Sequence, residues 1–392
     1  MTGFPPAEEE LVTLANWQDP PSVRWAFRHM REIIPSQVVP RGPTPSPLVA
    51  GGQADLATVG TERLEGGHAT VEQVVADTFT DALVVLHDGK LVAEQYFADS
   101  EPTTPHLLMS VSKSVVGCVA GVLAGQGLLD VEEQVGTYVP EVAGSGYGDA
   151  TVRDVLDMRT GVLFRETYED VDAEVRVIER SMGWRPRREG DPLGMYPYLA
   201  TLTRPDPHGG VFTYRSADTD MLGWVCERVA GKRMADLVSE LLWVPLGAEH
   251  DAEFTCDAVG SAVHDGGMSA VPRDMARFGR MLLDEGAGIV PAGWLADALN
   301  PPPDVRDAFG ASDNEAVLPG GWYRSQFWFV QTSRGDAALV CLGIHGQMVY
   351  VNPATRLVVA KLSSWPTPQS VPHLVDTLRA FDALGVALQG PH

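Results

Sequence analysis

Residues 106–130 read HLLMSVSKSVVGCVAGVLAGQGLLD, and this stretch decides how the rest of the chain is understood. From Ser110 to Gly125 the residues are small and apolar, with Lys113 as the one charge. A helix that is apolar all round is a buried helix. Gly127, followed by Leu128-Leu129-Asp130, ends it. Ser110 and Lys113 stand at i and i+3, so on a helix they share one face, about 5–6 Å apart at Cβ. An unprotonated lysine there could take the seryl proton, and dry surroundings would lower its pKa because burial disfavours the charged form. A serine at a helix start also has free backbone N–H groups near any oxyanion that develops. Lys90, Lys113, Lys232 and Lys361 are the only lysines among 29 basic residues, so one inside an apolar helix is informative. The plainer alternative is that Ser110 caps the helix and Lys113 snorkels. Ser112 and Ser114 have no lysine three residues on and read as structural.

Working outward, ALVVLHDGKLVAEQYF (82–97) is two apolar runs joined by Asp88-Gly89, a β-hairpin. TVRDVLDMRTGV (151–162) predicts a helix that stops at a Thr-Gly turn. Residues 165–210, charged and Pro-rich, predict an extended surface loop with short helices. SADTDMLGWVCERVAG (216–231) predicts an amphipathic helix closed by Gly231, and residues 267–286, with VPRDMARFGRMLLDEG, another with a Gly stop. QFWFVQTS, ALVCLGIHG and MVYVNPATRLVVAKLSS read as strands, with a turn at Asn352-Pro353, and HLVDTLRAFDALGVAL (373–388) as a closing helix. The expected fold class is mixed α/β (α+β): an antiparallel sheet from both chain ends, flanked by helices, with a helical domain inserted. The boundaries expected are a Pro- and Gly-rich arm at 1–75, an α/β domain at 76–115 and 250–392, and a helical domain at 116–249, with the active site between the last two.

Tyr214-Arg215-Ser216 lies just before a helix. A tyrosine near a buried lysine can share or lose its proton and so act as general base and then general acid. Ser216 can serve equally as an N-cap. Leu342-Gly343-Ile344-His345-Gly346-Gln347 is a strand with glycines, which mark close approach of a ligand or another backbone. The amide of Ile344 would then complete an oxyanion hole with that of Ser110. His345 reads first as a structural histidine.

The net charge of −23 argues against nucleic acid or an anionic membrane as a partner. Cys118, Cys226, Cys256 and Cys341 form no CxxC pair and read as buried free thiols. No cluster of metal ligands or cofactor motif stands out, so neither metal nor organic cofactor is expected. MTGFPPAEEELVTL lacks the basic and apolar parts of a signal peptide, and no segment has the span of a membrane helix, so a cytoplasmic protein is expected.

Taken together, LLMSVSKS, GLLDVEEQVGTYVPEV, TVRDVLDMRTGV, FTYRSADTDMLGWVCERVAGK and GGMSAVPRDMARFGRMLLDEG resemble the penicillin-recognising serine hydrolases. That superfamily includes serine β-lactamases, D-alanyl-D-alanine carboxypeptidases and family VIII carboxylesterases. Within it the chain is most similar to the 6-aminohexanoate-dimer (nylon-oligomer) hydrolases, through WAFRHM, LLMSVSKS, SADTD, GIHGQ and KLSSWP. The resemblance implies a serine β-lactamase-like fold and a homodimer. It also implies an amidase and esterase acting on small linear amides and short-chain esters. Ser110 would be the nucleophile, Lys113 and Tyr214 the proton-transfer pair, and the amides of Ser110 and Ile344 the oxyanion hole. Tyr168, Glu179, Ser216, Asp265, Trp328 and His345 would face the substrate, with Glu179 placed to hold a terminal ammonium. The aligned third motif, Cys341-Leu342-Gly343, lacks the cation that grips a β-lactam carboxylate. A family VIII carboxylesterase with little amidase activity is the rival enzyme. A penicillin-binding receptor, a carboxypeptidase and an inactive scaffold stand behind it.

Overall fold

Strands from both ends of the chain meet in one seven-stranded antiparallel sheet. The computed structural model describes Met1, Gly3 and residues 5–390. Across the sheet the order is Lys90–Tyr96, Thr80–His87, Leu357–Ser363, Gln347–Asn352, Ala337–Gly343, Phe327–Gln331 and Trp322–Arg324. The Asp88-Gly89 hairpin forms as expected, and Val84 pairs with Ala360 where the two chain ends join. Helix Pro272–Leu283 packs on the central strands, and helix Val371–Leu388 packs against Gln347–Asn352. The architecture is the expected mixed α/β (α+β) one, an antiparallel sheet from both chain ends flanked by helices.

Helix Val111–Gly125 is buried at every residue from Val111 to Leu123. Its valines and Leu123 each stabilise the fold by about 1.5–3 kcal/mol relative to exposure. Helix Ser216–Ala230 lies against it, with Val152–Leu156 on its other flank. The expected amphipathic character of the second helix is corrected here. Ser216 to Cys226 are all buried, because neighbouring helices cover the face that periodicity assigns to solvent. Gly231 ends the helix at φ 63°, the left-handed C-terminal turn that glycine adopts without strain. The helix expected across 151–162 is also shorter than its pattern. It starts at a capping box between Thr151 and Asp154, stops at Leu156, and Met158 takes a φ of 53°.

A second sheet has no counterpart in the sequence reading. It orders Ser36–Val39, Ala252–Thr255, Met268–Ala270 and His106–Leu107, so the N-terminal arm supplies one of its edges. These strands have two to four residues, too short for an alternating pattern to register. Their consequence is local: Leu108 N–H donates to Met268 O at 2.8 Å, which moors the chain just before Ser110. All four cysteines are free and buried. Among the described residues no helix is long and apolar enough to cross a membrane.

Candidate active site

The turn into helix Val111–Gly125 presents Ser110. Met109 takes a φ of 47°, an uncommon left-handed value for a residue with a side chain, and the chain bends sharply there. Ser110 occupies the cap position, yet its side chain makes no capping hydrogen bond. The hydroxyl is therefore free for other work, against the capping alternative. Ser112 and Ser114 do play structural parts, accepting from Met268 N–H at 3.2 Å and donating to Gln326 O at 2.8 Å.

Lys113 sits one turn on, 1 % exposed. Its Nζ donates to Ser110 Oγ at 3.1 Å, Ser216 Oγ at 3.0 Å and Asp265 O at 2.7 Å. The Asp265 carboxylate lies 3.4 Å away. An ammonium has three N–H donors, and all three are committed. The lowered lysine pKa expected from burial is overturned. Burial does pull it down, but the fields of Tyr214, Asp265, Glu166 and Asp220 outweigh it and leave Lys113 above its ordinary value. Lys113 is a cation at neutral pH.

Tyr214 stacks on Trp328, with ring centroids 5.2 Å apart, and Lys113 Nζ lies 5.4 Å from its ring centre. Burial pushes its phenol up to about 12, against the opposing pull of Lys113 and a hydrogen bond from Ser110. Tyr214 is thus a neutral phenol beside a cation.

Ser216 is the first helical residue, and its side chain does not cap the helix, contrary to the N-cap reading. Its hydroxyl donates to Glu166 Oε1 at 2.7 Å and its backbone N–H to Glu166 Oε2 at 2.9 Å. Tyr168 OH donates to the same carboxylate at 3.0 Å. Burial raises the Glu166 pKa against the opposing field of Lys113. Glu166 is the residue that sequence reasoning missed. In RETYEDVD it looks like one of a run of solvated acids, and no spacing rule links it to a serine fifty positions away.

Two cavities meet at Ser110. The larger, about 240 Å³, is lined by Tyr214, Trp328, Leu342, Met348 and Leu374 among others, and no charged side chain among the described residues lines it. The smaller, about 20 Å³, is lined by Tyr168, Glu179, Trp184, Ser216 and Asp265. That is space for about one water or ammonium group. Ile344 lines both, and neither its backbone N–H nor that of Ser110 has a partner among the described residues. Gly343 is the close approach expected of a strand glycine: a Cβ there would stand 2.7 Å from Leu108 O and 3.1 Å from Ser110 N.

Glu179 is neither solvated nor free. It is 4 % exposed and pairs with Arg176 at 2.6 Å and Arg185 at 2.5 Å. His345 is corrected as a substrate contact. It is fully buried and lines neither cavity, Nδ1 meets Trp365 O at 2.7 Å, and burial lowers its pKa to about 4.

Residues 68–383 match the beta-lactamase family. The chain is 40% identical to a 6-aminohexanoate-dimer hydrolase of Paenarthrobacter ureafaciens, over 97% of each chain. Its structure superposes on a Bacillus anthracis protein assigned as a 6-aminohexanoate-dimer hydrolase. That match has a TM-score of 0.86, 27% identity, and covers 99% of this chain and 100% of the other. A family VIII carboxylesterase shares the fold at a TM-score of 0.60 and 17% identity, over 85% of this chain and 99% of that one.

Proposed function

The chain belongs to the beta-lactamase family, and from that premise we propose that it is a serine hydrolase cleaving linear amides of the 6-aminohexanoate-dimer type and short-chain esters. The observation that carries this reading is the committed ammonium of Lys113. Ser110 Oγ accepts a hydrogen bond from it, so the seryl proton is directed elsewhere, and Tyr214, which lines the same cavity beside Lys113, is the group assigned to receive it.

Acylation then runs as a relay. The two proton transfers are coupled: as Oγ bonds the substrate carbonyl carbon and the scissile bond breaks, the phenol's own proton goes to the leaving nitrogen or oxygen and the seryl proton replaces it on the Tyr214 oxygen. Lys113 stays charged and stabilises negative charge as it builds on the phenol. The oxyanion rests on the N–H groups of Ser110 and Ile344, each worth about 2.7–4 kcal/mol on precedent. In the second half, water attacks the acyl carbon and passes its proton through Tyr214, and Ser110 leaves with a proton.

The cavities support the substrate class. The larger suits an uncharged apolar chain. The smaller, between Asp265 and Glu179, suits the ammonium end of an amino-acid amide. A lining without cations also disfavours β-lactams, which need a grip on their carboxylate.

The test is to incubate the purified protein in parallel with 6-aminohexanoate dimer and p-nitrophenyl acetate. Turnover of both, abolished in Ser110→Ala, is expected. Failure of both, or full activity in Ser110→Ala, defeats the proposal. Ester cleavage without dimer cleavage selects the carboxylesterase alternative.

A further inference from the structure

The segment Ser216-Ala217-Asp218-Thr219-Asp220 opens a buried helix with four polar side chains, and each holds a different part of the cleft. Ser216 binds Glu166 and Lys113. Asp218 accepts from Tyr147 at 2.8 Å and Thr160 at 2.9 Å. Thr219 donates to Gln326 at 2.7 Å. Asp220 Oδ1 accepts the backbone N–H groups of His264 at 3.1 Å and Asp265 at 3.0 Å.

Asp220 differs from the other three. It is 0 % exposed, and its second oxygen, Oδ2, is buried with no hydrogen-bond partner among the described residues. Asp265 Oδ1 is in the same position. Among the described residues no cation hydrogen-bonds Asp220: Lys113 spends its three donors on Ser110, Ser216 and the Asp265 carbonyl. A bare carboxylate oxygen in a dry interior beside a second carboxylate is costly, and a bound proton relieves it.

We propose that Asp220 is a protonated, neutral acid in the resting protein and a positioning residue for Lys113, which it sets by anchoring the backbone of Asp265. The chain of contacts is short. Asp220 fixes the His264 and Asp265 amides, the Asp265 carbonyl accepts the shortest of the lysine's hydrogen bonds, and Lys113 in turn bonds Ser110. Burial first, and Asp265 second, raise the acid far above the ordinary aspartate range, with Lys113 opposing. The titratable groups that act on it are Lys113 from the adjoining helix Val111–Gly125, Asp265 and His264 from the turn above, and Tyr147 and Tyr196 through their fields. His264 brings no charge, because burial lowers its pKa.

The kinetic arm of the test rests on the hydrolase reading; the spectroscopic arm does not. Asp220→Ala releases the turn and is expected to lower kcat on p-nitrophenyl acetate by about 100-fold with little change in KM. Asp220→Asn, neutral and still able to accept both N–H groups, is expected to restore most of that loss and to keep the wild-type pH profile. An ionised Asp220 would instead make the Asn variant lose its field on Lys113 and shift the alkaline limb downward, which overturns the proposal. Independently, the wild-type protein should show the infrared band of a neutral buried carboxyl that Asp220→Asn lacks. Absence of that difference overturns the proposal even if no substrate is turned over. Loss of turnover in the wild type alone counts against the hydrolase reading and leaves the infrared result to decide Asp220.

Discussion

Lys113 and Asp265 meet twice, once through the Asp265 carbonyl at 2.7 Å and once through its carboxylate at 3.4 Å. The double contact makes the lysine a fixed charge and not a free base. Lys113→Met removes the cation from among Asp265, Glu166 and Asp220. Breaking a buried pair by deleting one partner costs about 3–5 kcal/mol. The expected outcome is a lower melting temperature together with loss of hydrolysis. Hydrolysis at the wild-type rate in this variant would show that the cation is not needed.

Gly343 presses the strand against the nucleophile's backbone. In Gly343→Ala the new methyl meets Leu108 O at 2.7 Å and Ser110 N at 3.1 Å, neither of which can yield without moving the serine. A displacement of that order is expected to reduce kcat/KM by about 100-fold. Steady-state kinetics on an ester substrate decide it.

Glu179 shares the small cavity with Asp265, yet two arginines already balance its charge. If it orients an ammonium end, Glu179→Gln raises KM for 6-aminohexanoate dimer by about tenfold, equivalent to about 1.4 kcal/mol of binding. p-Nitrophenyl acetate has no ammonium, so its KM should stay constant. Equal changes for both substrates would reduce Glu179 to a scaffold for Arg176 and Tyr168.

Lys361 lies fully buried in the sheet, and burial lowers its pKa from 10.5 to about 7. Between those two values the unfolded lysine holds a proton that the folded one does not. Stability therefore falls as pH drops through that window and levels off below about 7. Lys361→Met removes this penalty. Its melting temperature should exceed the wild type's at pH 7, and the gain should shrink as pH approaches 10.5. A gain that is constant with pH would contradict the neutral lysine.

The hairpin at Asp88-Gly89, the buried helix after Ser110 and the closing strands were legible because each rests on a local pattern of ample length. The strands of the second sheet were not, being two to four residues long and paired with distant segments. Tyr168, Ser216, Asp265 and Trp328 were named on resemblance and do line the cleft. His345 was named with them and does not, because its φ of 60° belongs to a turn that packs the ring against Phe27. Glu166 went unnamed because its partners are remote in the chain.

By itself, the sequence determined which atoms could react. A serine and a lysine one helical turn apart, in a segment without other charges, must share a face and lose water together. Tertiary structure alone decided how those groups are charged. Whether a buried lysine gives up its proton depends on the sum of the fields around it. Those fields come chiefly from Asp265 and Glu166, two carboxyls that only folding brings to one place.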